Sequence, residues 1–145
     1  MLAVPGVTHV AILEGINDIG KVNQPELQYQ RVPPERIIGA YRQLLSRARA
    51  RGLRVIIGTL LPYEAAAYAD VAGEERRQTV NRWIRYNATL FDAVIDFDRA
   101  MQQPGQPAAM RLSDQISDHL HPNDAGYGRM AAALPVVLAQ KACEQ

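Results

Sequence analysis

The chain has one cysteine in 145 residues, Cys143, near its C-terminus. An internal disulfide is therefore excluded, and the redox compartment is left undetermined. No apolar run approaches the roughly 18 residues that cross a bilayer. The longest, Val10-Ala11-Ile12-Leu13 and the run from Val55 to Leu61, are flanked by polar residues, so no transmembrane segment is expected. The opening also lacks the basic and then apolar pattern of a secretion signal, because Met1 runs within a few residues into Pro5-Gly6. A dominant charge is missing too: a formal net charge of +1 gives little field to draw nucleic acid or acidic lipid. Arg42, Arg47, Arg49, Arg51 and Arg54 come without aromatic stacking residues, which makes them a solvated helix face. Neither nucleic acid nor membrane is expected as a partner. What is present, 48% hydrophobic and 21% charged residues, is the composition of one globular domain.

Three short apolar runs read as strands: residues 8–13, residues 54–61 closed by Pro62, and residues 93–97. Continuous apolar runs of this kind suit parallel strands covered on both faces. Between the first two, Pro33-Pro34 introduces a helix with Ile37, Ile38, Tyr41, Leu44, Leu45 and Ala48 at helical spacing, ended by Gly52. A second helix is predicted from about Glu74 to Leu90, with Val80, Trp83 and Ile84 on one face. A polar loop through Tyr29, a Pro/Gly-rich loop over 102–107 and a last helix capped by Asn123 or Asp124 complete the chain. That helix would carry Tyr127, Met130, Leu134, Val137 and Leu138 on one face, and Pro135 should kink or shorten it. Strand, helix, strand, helix, strand implies parallel pairing, right-handed crossovers and an α/β layered fold sandwiched by helices.

Two groups of residues carry chemistry. Gly15-Ile16-Asn17-Asp18 follows the first strand at its carboxyl end, where ligands of open α/β sheets gather. The Asn17 amide, held on a strand-to-loop turn, can donate to the charge that develops on a tetrahedral intermediate. The same tetrapeptide also reads as an Asx turn. Asp118 and His121, three residues apart in a loop before the last helix, are close enough for the carboxylate to orient the imidazole. Imidazole, with an ordinary pKa of about 6.5, is the commonest general base. This pair also reads as a capping Asp beside a surface His, or His119 and His121 as metal ligands. A zinc site, however, needs about three or four ligands, and His9 lies in the first strand. His119 alone reads as a bystander.

Taken together, the stretch from Val10 to Gly20 with its Gly15-Ile16-Asn17-Asp18, Gly58-Thr59-Leu60-Leu61-Pro62-Tyr63, and Asp118-His119-Leu120-His121-Pro122-Asn123-Asp124-Ala125-Gly126-Tyr127 resemble the GDSL/SGNH hydrolase family. The resemblance covers nearly the whole chain. It implies a three-layer, flavodoxin-like α/β sheet, incomplete at about three parallel strands, with residues 1–145 the C-terminal portion of a single domain. It also implies Asn17 as oxyanion donor, Asp118 as orienting acid and His121 as general base, acting on small acyl esters. No cofactor is required by such chemistry.

Two of the family's four blocks are absent: the Gly-Asp-Ser block that bears the nucleophile, and a glycine whose amide serves the oxyanion hole. Ser46, Ser113 and Ser117 are the only serines. Ser113 and Ser117 lie near the Asp-His pair but off the pattern, and water is the other candidate nucleophile. Leu2-Ala3-Val4-Pro5-Gly6 resembles the linker ahead of the Asn block in longer relatives, which reads Met1 as an internal start or the gene as cut. Two outcomes follow from the resemblance. One is a weak carboxylic-ester hydrolase. The other is an inactive truncated remnant that forms a homo-oligomer through the exposed strand edge at Val10, Ala11, Ile12 and Leu13.

Overall fold

In the computed structural model, residues 4–20 and 32–135 are described. The loop through Tyr29, together with Val137, Leu138 and Cys143, lies outside them. Strand β1 (His9–Ile12) pairs parallel with β2 (Arg54–Gly58) in the register His9 to Arg54 through Ile12 to Ile57. With β3 (Ala93–Ile95) they form a three-stranded parallel sheet of order β1-β2-β3. Val55, Ile56, Ile57 and Gly58 are all buried. Successive strand residues point to opposite faces, so both faces of β2 are covered, as its unbroken apolar run predicts.

The chain divides into two compact units, and the first holds most of this sheet: Met1–Leu60 with Tyr68–Val94. A short α1 (Ile16–Gly20) follows β1, where the sequence reading had a turn. Helix α2 (Pro34–Arg49) starts at the proline pair and buries Ile37, Tyr41, Leu45 and Ala48, while Ile38 and Leu44 of the predicted stripe are half-buried. It packs on β2 and on α3 (Val71–Tyr86). Helix α3 begins before the expected Glu74, because the Asp70 side chain accepts a hydrogen bond from the Gly73 amide and caps the first turn. Among its buried residues are Arg77 and Asn81, polar positions that periodicity assigns to no core.

The second unit is Leu61–Ala67 with Ile95–Gln145. The third strand is shorter than expected, since Asp96 caps α4 (Phe97–Met101) and turns Phe97 into a helix. The Pro/Gly-rich segment is no plain loop: β4 (Gln102–Gln103) and β5 (Gln106–Met110) pair antiparallel about Gly105, whose φ is 78°. A 3-10 turn (Leu112–Asp114) leads to the chemical segment and to α5 (Asp124–Ala132), capped by Asn123. α5 stops three residues short of Pro135, whose ring disfavours helical backbone before it. The face predicted apolar lies largely outward, with Tyr127 and Leu134 exposed, and Gly126 is the buried contact. Among the described residues, no helix is long and apolar enough to cross a membrane.

Candidate active site

Gly15 takes a φ of 119°, a left-handed value that L residues rarely adopt. A Cβ there would also sit 3.1 Å from the Tyr41 hydroxyl and 3.2 Å from Ile37 Cγ2. Tyr41 donates to the Glu14 carbonyl and so holds the chain as it leaves β1. Burial, reinforced by the Asp18 and Glu14 carboxylates, pushes the Tyr41 hydroxyl well above its usual range, which keeps it protonated as a donor. Asn17 thus emerges in the first turn of α1, exposed, and not in an Asx turn. The Tyr68 hydroxyl donates to its Oδ1 at 3.2 Å. That bond turns the amide so that Nδ2 is its available donor. Tyr68 can approach because Gly20 has no Cβ; one there would lie 2.2 Å from the ring.

Asp118 and His121 meet. His121 Nδ1 is 2.6 Å from Asp118 Oδ2, and the other carboxylate oxygen accepts the backbone N–H groups of Leu120 and His121, each at 3.0 Å. These three donors hold the Asp118 carboxyl down to about pKa 2, the His121 side chain contributing most. With the carboxylate on Nδ1, Nε2 is the ring nitrogen left to exchange a proton. The loop that carries the pair is closed at its base. Ile116 N donates to the His121 carbonyl at 3.0 Å, and Gln115 and Pro122 form an isolated antiparallel bridge. Asn123 then ties the loop to α5: its Nδ2 donates to the Ser113 and Gln115 carbonyls at 2.9 and 3.1 Å, and its Oδ1 accepts from Gly126 N. Gly126 presses on the Asp114 carbonyl so closely that a Cβ would lie 2.0 Å from it.

Sequence reasoning missed the residues that position others. Tyr68 orients Asn17. Asn81 clamps Leu60, accepting from its N–H at 2.7 Å and donating to its carbonyl at 2.9 Å. The buried Arg77 donates to the same carbonyl at 2.9 Å and forms a two-pronged pair with Glu74, both contacts 2.7 Å. Asp114 is buried, bonded by the Arg129 guanidinium and by the Ser113 hydroxyl at 2.8 Å, and these donors lower its pKa, Arg129 foremost. Ser113 is therefore committed to Asp114. His119, beside the pair, has a left-handed backbone with φ 59°. Among the described residues, no three His, Cys, Asp or Glu side chains gather as a metal site.

The exposed asparagine at the carboxyl end of β1 and the Asp-His pair ahead of α5 are the residues that the sequence resemblance singles out. The model of the GDSL-like Lipase/Acylhydrolase family matches residues 2–129. The chain belongs to that family. No curated protein matches it. Solved structures of GDSL-like and related hydrolases share the fold. A candidate acylhydrolase from Bacteroides fragilis is 20% identical with a TM-score of 0.75, covering 92% of this chain and 62% of its own. A GDSL-like lipase from Bacteroides thetaiotaomicron gives 19% and 0.74, with coverages of 92% and 63%. An alpha/beta hydrolase enzyme from the metagenome of Lake Arreo gives 23% and 0.65, with 94% and 61%. This GDSL-like chain thus spans somewhat under two thirds of each of these relatives. Within its 145 residues there is no Gly-Asp-Ser sequence. Its Asn17 belongs to the first compact unit, and its Asp118-His121 pair to the second.

Proposed function

We propose that the chain carries the acid-base half of a carboxylic-ester hydrolase acting on small acyl esters. The observation that supports this most is the 2.6 Å contact of Asp118 with His121 Nδ1. With that nitrogen held, Nε2 takes a proton from an attacking hydroxyl, which adds to the ester carbonyl. Negative charge then gathers on the carbonyl oxygen, and the family resemblance gives the Asn17 amide as the donor to it. The acyl-oxygen bond breaks, and the proton passes from Nε2 to the leaving alcohol. The hydroxyl is that of water, which gives the carboxylic acid directly, or of an off-pattern serine. The serine's acyl ester is then cleaved by a water that gives its proton to Nε2, releasing the acid and returning the proton to the serine. Ser117 suits this role better than Ser113, whose hydroxyl is already bonded to Asp114.

The test is hydrolysis of a short-chain nitrophenyl ester by the wild-type chain beside His121→Ala and Asn17→Ala, with folding checked. The wild type is expected to turn over, and each variant to fall by about 10-fold or more. Three rates equal to the blank overturn the reading. Where the wild type turns over, inhibition by a serine-directed phosphonate assigns the nucleophile to serine.

A second reading is an inactive chain that self-associates. It is favoured by the sheet order, in which β1 has a strand partner on one side only among the described residues, with Ala11 exposed.

A further inference from the structure

Within the second unit, the β4-β5 hairpin, the loop at Glu64 and Ala65, and the turn at His119 enclose a groove of about 600 Å3. Three features mark it as built. Glu64 N donates to the Ala108 carbonyl at 2.9 Å and ties the loop to the hairpin. Among the described residues, the two non-glycine residues with left-handed backbones, Ala65 at φ 72° and His119 at φ 59°, both line the groove. Such conformations persist where the surroundings hold them, and they collect at ligand sites. Finally, Gln115 is fixed through Nε2, which donates to the Met110 carbonyl at 2.8 Å, while its Oε1 is buried without a hydrogen-bond partner among the described residues. A buried acceptor in that state calls for a donor.

The lining indicates the ligand. Apolar surface from Ala108, Met110 and Leu112 lies beside the carboxamides of Gln103, Gln106 and Gln115. Among the described residues no lysine or arginine lines the groove, and the Glu64 carboxylate repels anions. Carboxamides both donate and accept, as alcohol hydroxyls do. His119 stands two residues from His121 in the same turn. We infer that this groove binds the alcohol portion of the ester, and that this portion is a neutral, hydroxyl-rich group, a sugar or a polyol. The inference rests on the ester-hydrolase reading.

The experiment is an NMR titration of the isotope-labelled His121→Ala chain, so that binding is read without turnover. The probes are methyl glucopyranoside, glycerol monoacetate and, for contrast, hexanoate. The side-chain amide signals of Gln103, Gln106 and Gln115 are expected to move with the two neutral probes and not with hexanoate. Gln106 is exposed, so Gln106→Ala should leave the backbone spectrum intact and weaken binding about 3- to 10-fold, the worth of one hydrogen bond. Ala109→Trp should fill the groove and abolish the shifts. Shifts with hexanoate alone, or none with the neutral probes at high millimolar concentration, overturn the inference. The two readings fail separately. Shifts in a chain that hydrolyses no ester overturn the hydrolase and keep a polyol site, whereas nitrophenyl ester turnover without shifts overturns the groove.

Discussion

Asp118 uses both carboxylate oxygens on its own loop, one for the imidazole and one for two backbone amides. Its charged form is therefore favoured in the folded chain, and the sign of the pH dependence follows. The stability it adds is present above the unfolded carboxyl range, near pH 4, and is lost as pH falls through about 2. The carboxyl carbon of Asp118, followed by NMR, should titrate with a midpoint near 2, and a midpoint near the ordinary 3.8 would show that the His121 bond does not persist in solution. Asn81 makes a second residue-scale case. Asn81→Ala removes the partner of the buried Leu60 N–H and one of two donors to its carbonyl. A loss of about 2 kcal/mol is expected, read by chemical denaturation. The Asp-His spacing was legible in the sequence because it is local. Asn81 was not, since its partner lies 21 residues away and only the packing of α3 brings them together.

At the scale of elements, the motif glycines have distinct jobs. Gly15 is required for its positive φ, and Gly126 for the approach of α5 to the Asp114 carbonyl. Gly126→Ala should push α5 and its Asn123 cap away from the Asp118-His121 loop. It is expected to cost about 1–3 kcal/mol, visible as a lower Tm, and to reduce any esterase activity more than stability alone explains. Unchanged Tm would show that the helix seat is looser than described. Helical periodicity identified α2 and its buried stripe, but for α5 it found a face without saying what covers it. The hairpin escaped detection because Pro104-Gly105 marks a turn and nothing local says that two strands flank it.

For the whole molecule, the open edge of β1 matters most. A strand paired on one side only among the described residues, with Val10 and Ile12 buried and Ala11 exposed, offers its other edge to a second chain. We propose that two copies pair edge to edge across a twofold axis, giving a six-stranded sheet. Sedimentation should find a dimer at tens of micromolar, and Ala11→Lys should return it to monomer. A wild-type monomer at high micromolar concentration overturns the proposal. The sequence by itself determined the α/β class, the β2 core strand, the family and the residue types of Asn17, Asp118 and His121, because periodicity and short motifs are local patterns. Only the tertiary structure decided that Tyr68 aims Asn17, that Asn81 and Arg77 hold Leu60, and that Ala65 and His119 share a groove. Those partners are distant in sequence, and their contacts depend on how helices and loops pack.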